Sequence, residues 1–418
     1  MPRPLFKVCP PDEVICLLRK HLNLKEITGN RMETVSIKAS LDRILAEDVV
    51  SPLNLPGFTR STMDGYALRA EDSFGASENL PSYFKIIGEV KMGEQPKFRV
   101  NSGEVVKIST GGMLPEGANA VIMWEYTSPV DNSTLELRRP VAPGENIIQE
   151  DEDLKKGETL LVAGHKLRPQ DIGALAGIGK MEVKVFKKPR VAIISTGNEI
   201  VPPQVKPQRG EIRDINSYTL GAGVKMAQGI PLYGGIIKDE VNDLEGELRK
   251  FLEEDKAEII IISGGSSLGT RDITVEVLGK LGEPGVLVHG VAVKPGKPTI
   301  VALVGNKPIF GLPGHPVSAM IIFNLLVRPL ISWLQGGDYN EDFSPKIEAE
   351  LVGNVASDPG KEDYVRVILY QENGKYYAKP ILGKSGLIST LVRASGLIKI
   401  GTNVEGLKSG SKVMVELF

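Results

Sequence analysis

The chain has only two cysteines among 418 residues, Cys9 and Cys16. Two thiols make neither a disulfide framework nor a zinc site by themselves. Both fall in or beside a helix-like segment, where they are expected to be small buried apolar groups. Charge of one sign is also lacking: 50 Lys and Arg stand against 52 Asp and Glu, a formal net charge of −2. Without a basic domain or stripe there is no electrostatic case for a nucleic-acid partner. No run approaches the roughly 18 uninterrupted apolar residues of a membrane span. Met1 to Val8 has no apolar core of signal-peptide length. No membrane association is therefore expected, and a cytoplasmic location is the default expectation. Neither a tandem repeat nor a low-complexity tract is present.

Several familiar chemistries are missing too. Four histidines occur, His21, His165, His289 and His315, and none has acid and serine partners nearby in sequence. No G-x-S-x-G elbow accompanies them, which argues against a nucleophilic triad and for structural histidines. Gly269 is followed by Thr270 rather than a Lys-Ser/Thr pair, so the glycine-rich loop there is not a Walker loop. No strand–GxGxxG–helix fingerprint supports a dinucleotide fold.

What remains is a globular composition, 41% apolar and 24% charged, on a chain too long for one ordinary core. Pro11 to Leu22 reads as a short helix with Val14, Ile15, Leu17 and Leu18 on one face. From Ser51 to Pro143, β-type runs such as Phe84–Val90, Val105–Ser109 and Ala120–Trp124 alternate with Gly and Pro turns. Glu145 to Gly179 is a charged stretch followed by a short helix. From Pro189 strands alternate with helices, ending in a long helix expected over Val317–Leu334. That alternation predicts a mostly parallel sheet covered on both faces. After Gly336 the helices stop, and Asn373-Gly374 between apolar runs is a hairpin signal. The expected fold class is α/β plus β. Its domains are a connector (26–50 plus 145–180), a β-rich insertion (51–144), an α/β domain (10–25 plus 181–336) and a C-terminal β-barrel-like domain (337–418).

In open α/β sheets, ligands bind beyond the carboxyl ends of the strands, and the polar residues of the middle region cluster there. The loop from Ser263 to Asp272, with Gly264 and Gly265, is a candidate anion cradle, because glycine lets backbone amides approach a phosphate. Glycine-rich turns are equally common without that role. Glu199, Asp239 and Asp272 lie on three post-strand loops, and convergent carboxylates with water suit Mg²⁺. Each alone could equally be a helix cap. Lys294 and Lys297, held on a Pro- and Gly-spaced turn, offer cations to an oxyanion.

An ordered set of segments then carries a resemblance. Pro56-Gly57-Phe58 precedes Ser61-Thr62-Met63-Asp64-Gly65-Tyr66-Ala67, then Ile108-Ser109-Thr110-Gly111 and Pro115-Glu116-Gly117. Ser195-Thr196-Gly197-Asn198-Glu199, Ser263-Gly264-Gly265, Lys294-Pro295-Gly296-Lys297-Pro298 and Gly311-Leu312-Pro313-Gly314-His315-Pro316-Val317-Ser318 follow. Each motif is weak alone, but the ordered set over nearly the whole chain resembles the molybdopterin molybdenumtransferases, relatives of the E domain of gephyrin. The resemblance implies an elongated four-domain homodimer whose central domain is a three-layer α/β/α, pterin-binding-like unit. It also implies Mg²⁺-dependent insertion of molybdate or tungstate into adenylylated molybdopterin with release of AMP, and a molybdopterin adenylyltransferase as a partner.

Carried over by position, the resemblance makes Asp64, Thr110, Glu199, Asp239 and Asp272 the catalytic set, the last three as metal ligands. Gly264, Gly265, Ser267, Lys294, Lys297, Pro313, Pro316, Arg366 and Ser385 become substrate-binding residues, and Asp153 a structural acid. Two positions depart from the family, which often has Asn at His315 and Val at Ser266. Two rivals stand beside this reading: a metal-dependent nucleotide pyrophosphatase on the middle domain, and a non-enzymatic scaffold.

Overall fold

The computed structural model describes residues 8–22, 31–253, 256–264, 273–337 and 344–418. These form two compact units. One comprises residues 35–41 and 47–183, the other the remainder, including everything from Lys184 onward.

The smaller unit is built on a six-stranded mixed sheet. Its strands are β1 (Gly65–Leu68), β2 (Ser82–Val90), β3 (Glu104–Ile108), β4 (Ala120–Met123), β5 (Thr127–Pro129) and β6 (Thr134–Leu137), in the order β4-β1-β3-β2-β6-β5. Alternating side chains fill two cores. Tyr66, Leu68, Val105 and Ile122 pack on one side, and Ala67, Val106, Ile108 and Val121 on the other, the period-2 consequence of a pleated strand. In the same unit a helix spans Pro169–Gly177, its proline at the first turn, where a missing N–H costs nothing.

In the larger unit, α1 (Pro11–His21) buries Val14 and Leu18 in the core of an α/β domain. That domain contains β7 (Arg190–Thr196), α2 (Asn216–Met226), β8 (Ile230–Ile237), α3 (Val241–Glu253), β9 (Ile259–Ser263), α4 (Ile273–Leu281) and β10 (Pro284–His289). There follow β11 (Val293–Lys294), β12 (Ile300–Val304), β13 (Lys307–Leu312), α5 (Pro316–Ile322) and α6 (Arg328–Trp333). The sheet order is β8-β7-β9-β13-β12-β10. The first four strands are parallel and the last two antiparallel. Val191, Ile193, Ile259 and Ile261 face α1, α2 and α5, whereas Ala192, Ile194, Ile260 and Ile262 face α3 and α4. Both faces are dry, so these strands read as continuous apolar runs.

The rest of this unit is β14 (Lys346–Leu351), β15 (Glu362–Glu372), β16 (Lys375–Pro380), β17 (Gly396–Ile400) and β18 (Lys412–Leu417). Their pairing closes as β15-β16-β14-β18-β17-β15, a five-stranded barrel without free edges. Asn373 and Gly374 turn β15 into β16 with φ of 49° and 78°. Two positive φ values define the hairpin turn that this dipeptide favours.

Two expectations need correction. Cys9 is buried but Cys16 is exposed, because the buried stripe of α1 runs through Pro11, Val14 and Leu18 and leaves Cys16 outside it. The long helix expected over Val317–Leu334 is interrupted by a π segment, Phe323–Val327. Pro329 lacks an N–H for the regular ladder, and a wider turn just before it absorbs the mismatch. By length and composition Pro316–Trp333 could cross a membrane, but 67% of it is buried inside the protein, as in a core helix.

Asp171 supplies a test of how the smaller unit is held. It is buried and accepts hydrogen bonds from the Arg168 backbone N (2.8 Å), Arg168 Nε (3.0 Å) and Nη2 (3.1 Å), and it lies 2.7 Å from His165 Nε2. Arg168 first, and then His165, hold its carboxyl well below the ordinary range despite the opposing effect of burial. A depressed folded pKa contributes stability that is complete above the unfolded value of about 3.9 and is lost as pH falls through the folded one. Asp171→Asn should therefore lower unfolding stability by about 2 kcal/mol near neutrality. In urea titrations across pH, its gap from the parent protein should be constant above about pH 5 and shrink below about pH 4. A gap that widens on acidification would contradict the assignment.

Candidate active site

Four parallel strands of the α/β domain end along one edge, and glycine permits the loops after them to touch. Gly264 follows β9 at φ +111°, and a Cβ there would lie 2.1 Å from the Thr196 carbonyl oxygen. A Cβ added to Gly314 would in turn lie 3.8 Å from the Gly264 Cα. The Gly264 N–H donates to the Leu312 carbonyl at 3.1 Å and that of Gly197 to the Ile237 carbonyl at 3.2 Å. Only a residue without a side chain fits against the Thr196 carbonyl at this position.

Two of the expected acids meet at this edge. Glu199 is exposed after β7, and Asp239 is half-buried after β8. The backbone N of Asp239 donates to Asn198 Oδ1 at 3.3 Å. Burial, and then the charge of Glu199, push the Asp239 carboxyl upward. A divalent cation between such carboxylates would offset that repulsion, so the donor set suits Mg²⁺, with water or phosphate oxygens completing the shell. Gly265, Ser266, Ser267 and Asp272 lie outside the described residues. Among the described residues, no three His, Cys, Asp or Glu side chains are grouped to hold a metal.

Beside these strand ends is a cleft of about 940 Å³, lined in part by Asn198, Pro203, Tyr218, Tyr233, Lys238 and Glu240. Its size is that of a small-molecule site. Asp214 and Ser217 also line it, within a buried network that sequence reasoning missed. Ser195 Oγ lies 3.1 Å from each Asp214 carboxylate oxygen and 2.8 Å from Ser217 Oγ. The Ser217 backbone N donates to Asp214 Oδ1 at 3.1 Å. Next in sequence, Asn216 Nδ2 donates to Ser263 Oγ at 2.7 Å and to the Gly314 carbonyl at 2.8 Å. One side chain thus ties the ends of β9 and β13. The signal available in the sequence was Asp214-Ile215-Asn216-Ser217 across the start of α2, a polar cluster at a helix start.

The lysine turn connects this domain to the barrel. Val293 and Lys294 pair in parallel with Glu362 and Asp363 of β15. Lys294 Nζ lies 3.1 Å from Asp363 and 3.6 Å from Asp358. Hydrogen bonding to Asp363, against the cost of burial, raises the Lys294 pKa and keeps the amine charged. Lys297 is exposed, and Pro313 and Pro316 are buried where β13 passes into α5. Arg366 on β15 is buried and committed to Thr390 Oγ1 at 2.6 Å and the Gly383 carbonyl at 2.8 Å. It holds the loop that carries Ser385. Ser385 in turn reaches His315 of the α/β domain, Oγ to Nδ1 2.9 Å.

In the smaller unit, Asp64 and Thr110 are exposed at one end of the sheet. Gly65 pairs with Ile108 across β1 and β3, which brings the two flanking residues together. Asp64 Oδ1 accepts from the Thr110 backbone N at 2.8 Å and from its hydroxyl at 3.2 Å. Asp153 is exposed.

Comparison with known proteins covers almost the whole chain. Residues 10–179 match the family model described as MoeA N-terminal region (domain I and II). Residues 192–333 match "Probable molybdopterin binding domain", and residues 348–418 match MoeA C-terminal region (domain IV). A molybdopterin biosynthesis protein of Methanocaldococcus jannaschii is 36% identical over 399 residues, covering 93% of each chain. The molybdopterin molybdenumtransferase of Bacillus subtilis is 34% identical over 391 residues, 92% of this chain and 89% of its own. A crystal structure of a molybdopterin biosynthesis moeA protein from Pyrococcus horikoshii superposes with a TM-score of 0.84 at 32% identity, covering 99% of this chain and 100% of that one.

The tie made by Asn216 can be measured directly. Asn216→Ala removes one donor from two buried acceptors and should cost about 1–2 kcal/mol of stability. Urea unfolding of the full chain reads this as a lower midpoint at unchanged slope. An unchanged midpoint would mean that the two loops are held without it.

Proposed function

Because the chain belongs to the molybdopterin molybdenumtransferase family, we propose that it inserts molybdate or tungstate into adenylylated molybdopterin, releasing AMP. It is an enzyme of molybdenum-cofactor biosynthesis. The observation that carries the finer reading is the crowding of Glu199 and Asp239 at the strand ends beside a ligand-sized cleft. In this reading the cleft takes the nucleotide-bearing pterin, with Tyr218 and Tyr233 offering flat faces to its rings. Glu199 and Asp239, with Asp272, are the residues that would hold Mg²⁺. Bound there, the ion would neutralise phosphoryl charge. The Gly264 N–H is taken by the Leu312 carbonyl, so its glycine serves by letting the loop approach, while the backbone amide of Gly265 would cradle phosphate oxygens, and Pro313 and Pro316 shape the adjoining wall.

Lys294, Lys297, Ser267 and Ser385 receive the tetrahedral dianion. Arg366 supports the Ser385 loop and adds positive charge behind it. Much of the rate gain would come from holding the reactants in place. The active assembly is a homodimer in the cytoplasm, with Asp64 and Thr110 of one protomer serving the strand-end loops of the other. Their own hydrogen bond presets them for that task. A molybdopterin adenylyltransferase would supply the substrate. The boundaries given above from sequence stand as proposed domain limits.

Three variants test this scheme in metallation assays that titrate Mg²⁺ and molybdate. Burial and Glu199 already disfavour the charged form of Asp239. Asp239→Ala should therefore cost about 0.5 kcal/mol of stability or less, yet slow turnover about a hundredfold or more. Wild-type turnover at limiting Mg²⁺ would refute the metal assignment. Lys294→Ala should instead raise the molybdate concentration for half-maximal rate, and AMP release without metallated product would favour a pyrophosphatase. For the dimer, mixing Asp64→Ala with Asp239→Ala chains should restore part of the activity. No recovery in verified heterodimers would exclude shared sites.

A further inference from the structure

His315 and Ser385 lie on different domains of one compact unit, and their side chains meet at 2.9 Å. His315 leaves β13 in an extended conformation as the residue before α5, and its carbonyl accepts the Ala319 N–H at 3.0 Å. Gly386 lies against the ring, where a Cβ would be 3.6 Å from Cδ2 and 3.8 Å from Nε2. A second tie runs from the Val317 N–H to the Ser385 carbonyl at 3.2 Å. The barrel loop is therefore docked on the α/β domain by one backbone bond and one side-chain bond, and the second of these involves a titratable ring.

A serine hydroxyl has one proton to give. If Ser385 is to donate it to an oxyanion, its oxygen must accept from His315. Nδ1 can donate in the imidazolium and in one neutral tautomer. In the other tautomer Nδ1 accepts, and the hydroxyl proton turns away from the anion. We propose that His315 is a positioning residue that directs the Ser385 proton toward the incoming oxyanion, so that the protonated ring favours oxyanion capture. This inference rests on the assignment of Ser385 to the oxyanion site.

Imidazolium also contributes a positive charge to the anion site. Among charged groups, Lys384 adjoins Ser385 in sequence and Arg366 holds that loop through the Gly383 carbonyl. Asp214 lies two residues before Asn216, whose amide bonds to the carbonyl of Gly314 beside His315. Lysine, arginine and aspartate ordinarily titrate away from neutrality. Of these residue types, histidine is the one whose charge ordinarily changes near neutrality.

The test measures calorimetric binding of molybdate alone to the full chain, and metallation of adenylylated molybdopterin, across about pH 5.5 to 8. The parent protein should bind molybdate about tenfold more weakly at the alkaline end than at the acid end. His315→Asn, whose amide donates at every pH, should flatten that dependence. Ser385→Ala should bind weakly throughout and lose most of it. Equal pH slopes in the parent and His315→Asn, or no molybdate binding at all, would overturn the proposal. The expected binding profile without any metallation would leave the positioning role intact and refute the proposed reaction instead.

Discussion

Gly264 lies so close to the Thr196 carbonyl that a Cβ there would be 2.1 Å from its oxygen, and the Gly314 loop approaches it as well. This close approach makes one edge of a sheet into a site. Four parallel strands deliver their loops to the same edge, but the loops would splay if the chain after β9 carried a side chain. Asn216 completes the arrangement by bonding to Ser263 and Gly314 together. The carboxylates of Glu199 and Asp239, the cleft beside them and the turn before α5 all take their positions from this contact.

Much of this was legible from the residues. Val191–Ile194 and Ile259–Ile262 are unbroken apolar runs, and such runs belong to strands covered on both faces. The Asn373-Gly374 turn and the apolar stripe of α1 were equally plain. Other features depended on distant partners. Nothing near Lys294 in sequence points to Asp363, which lies beyond α6 and β14 and meets it only because β11 joins β15. Arg366 could be ranked with the oxyanion ligands by position, while its bonds to Gly383 and Thr390 required the folded loop. Cys16 was misplaced although the stripe was legible, because it lies two residues from both Val14 and Leu18 and so falls on the opposite face of the helix. His315 looked like an isolated histidine until the barrel brought Ser385 to it.

The two kinds of charged group at the site are handled differently. Asp239 is crowded by a like charge and by burial, and its ionised form is disfavoured until something positive arrives. Lys294 is already neutralised in part by Asp363 and Asp358, and its charge is secured in advance. An incoming cation would thus relieve existing repulsion, whereas an incoming anion has to compete with two carboxylates for one ammonium. Competition of that kind weakens binding but sharpens discrimination, because a weakly charged anion gains too little to displace the resident partners.

The pairing of β11 with β15 also bears on evolution. A two-residue strand of the α/β domain completes its hydrogen bonding on a barrel strand, and the residue at its end is Lys294. Loss of the barrel would leave that short edge unpaired and the lysine without Asp363. An α/β domain cut free of the barrel would therefore carry a lysine turn with neither its strand partner nor its counter-ion. Its lysine turn has become dependent on a neighbour, and the two domains are bound to change together under selection.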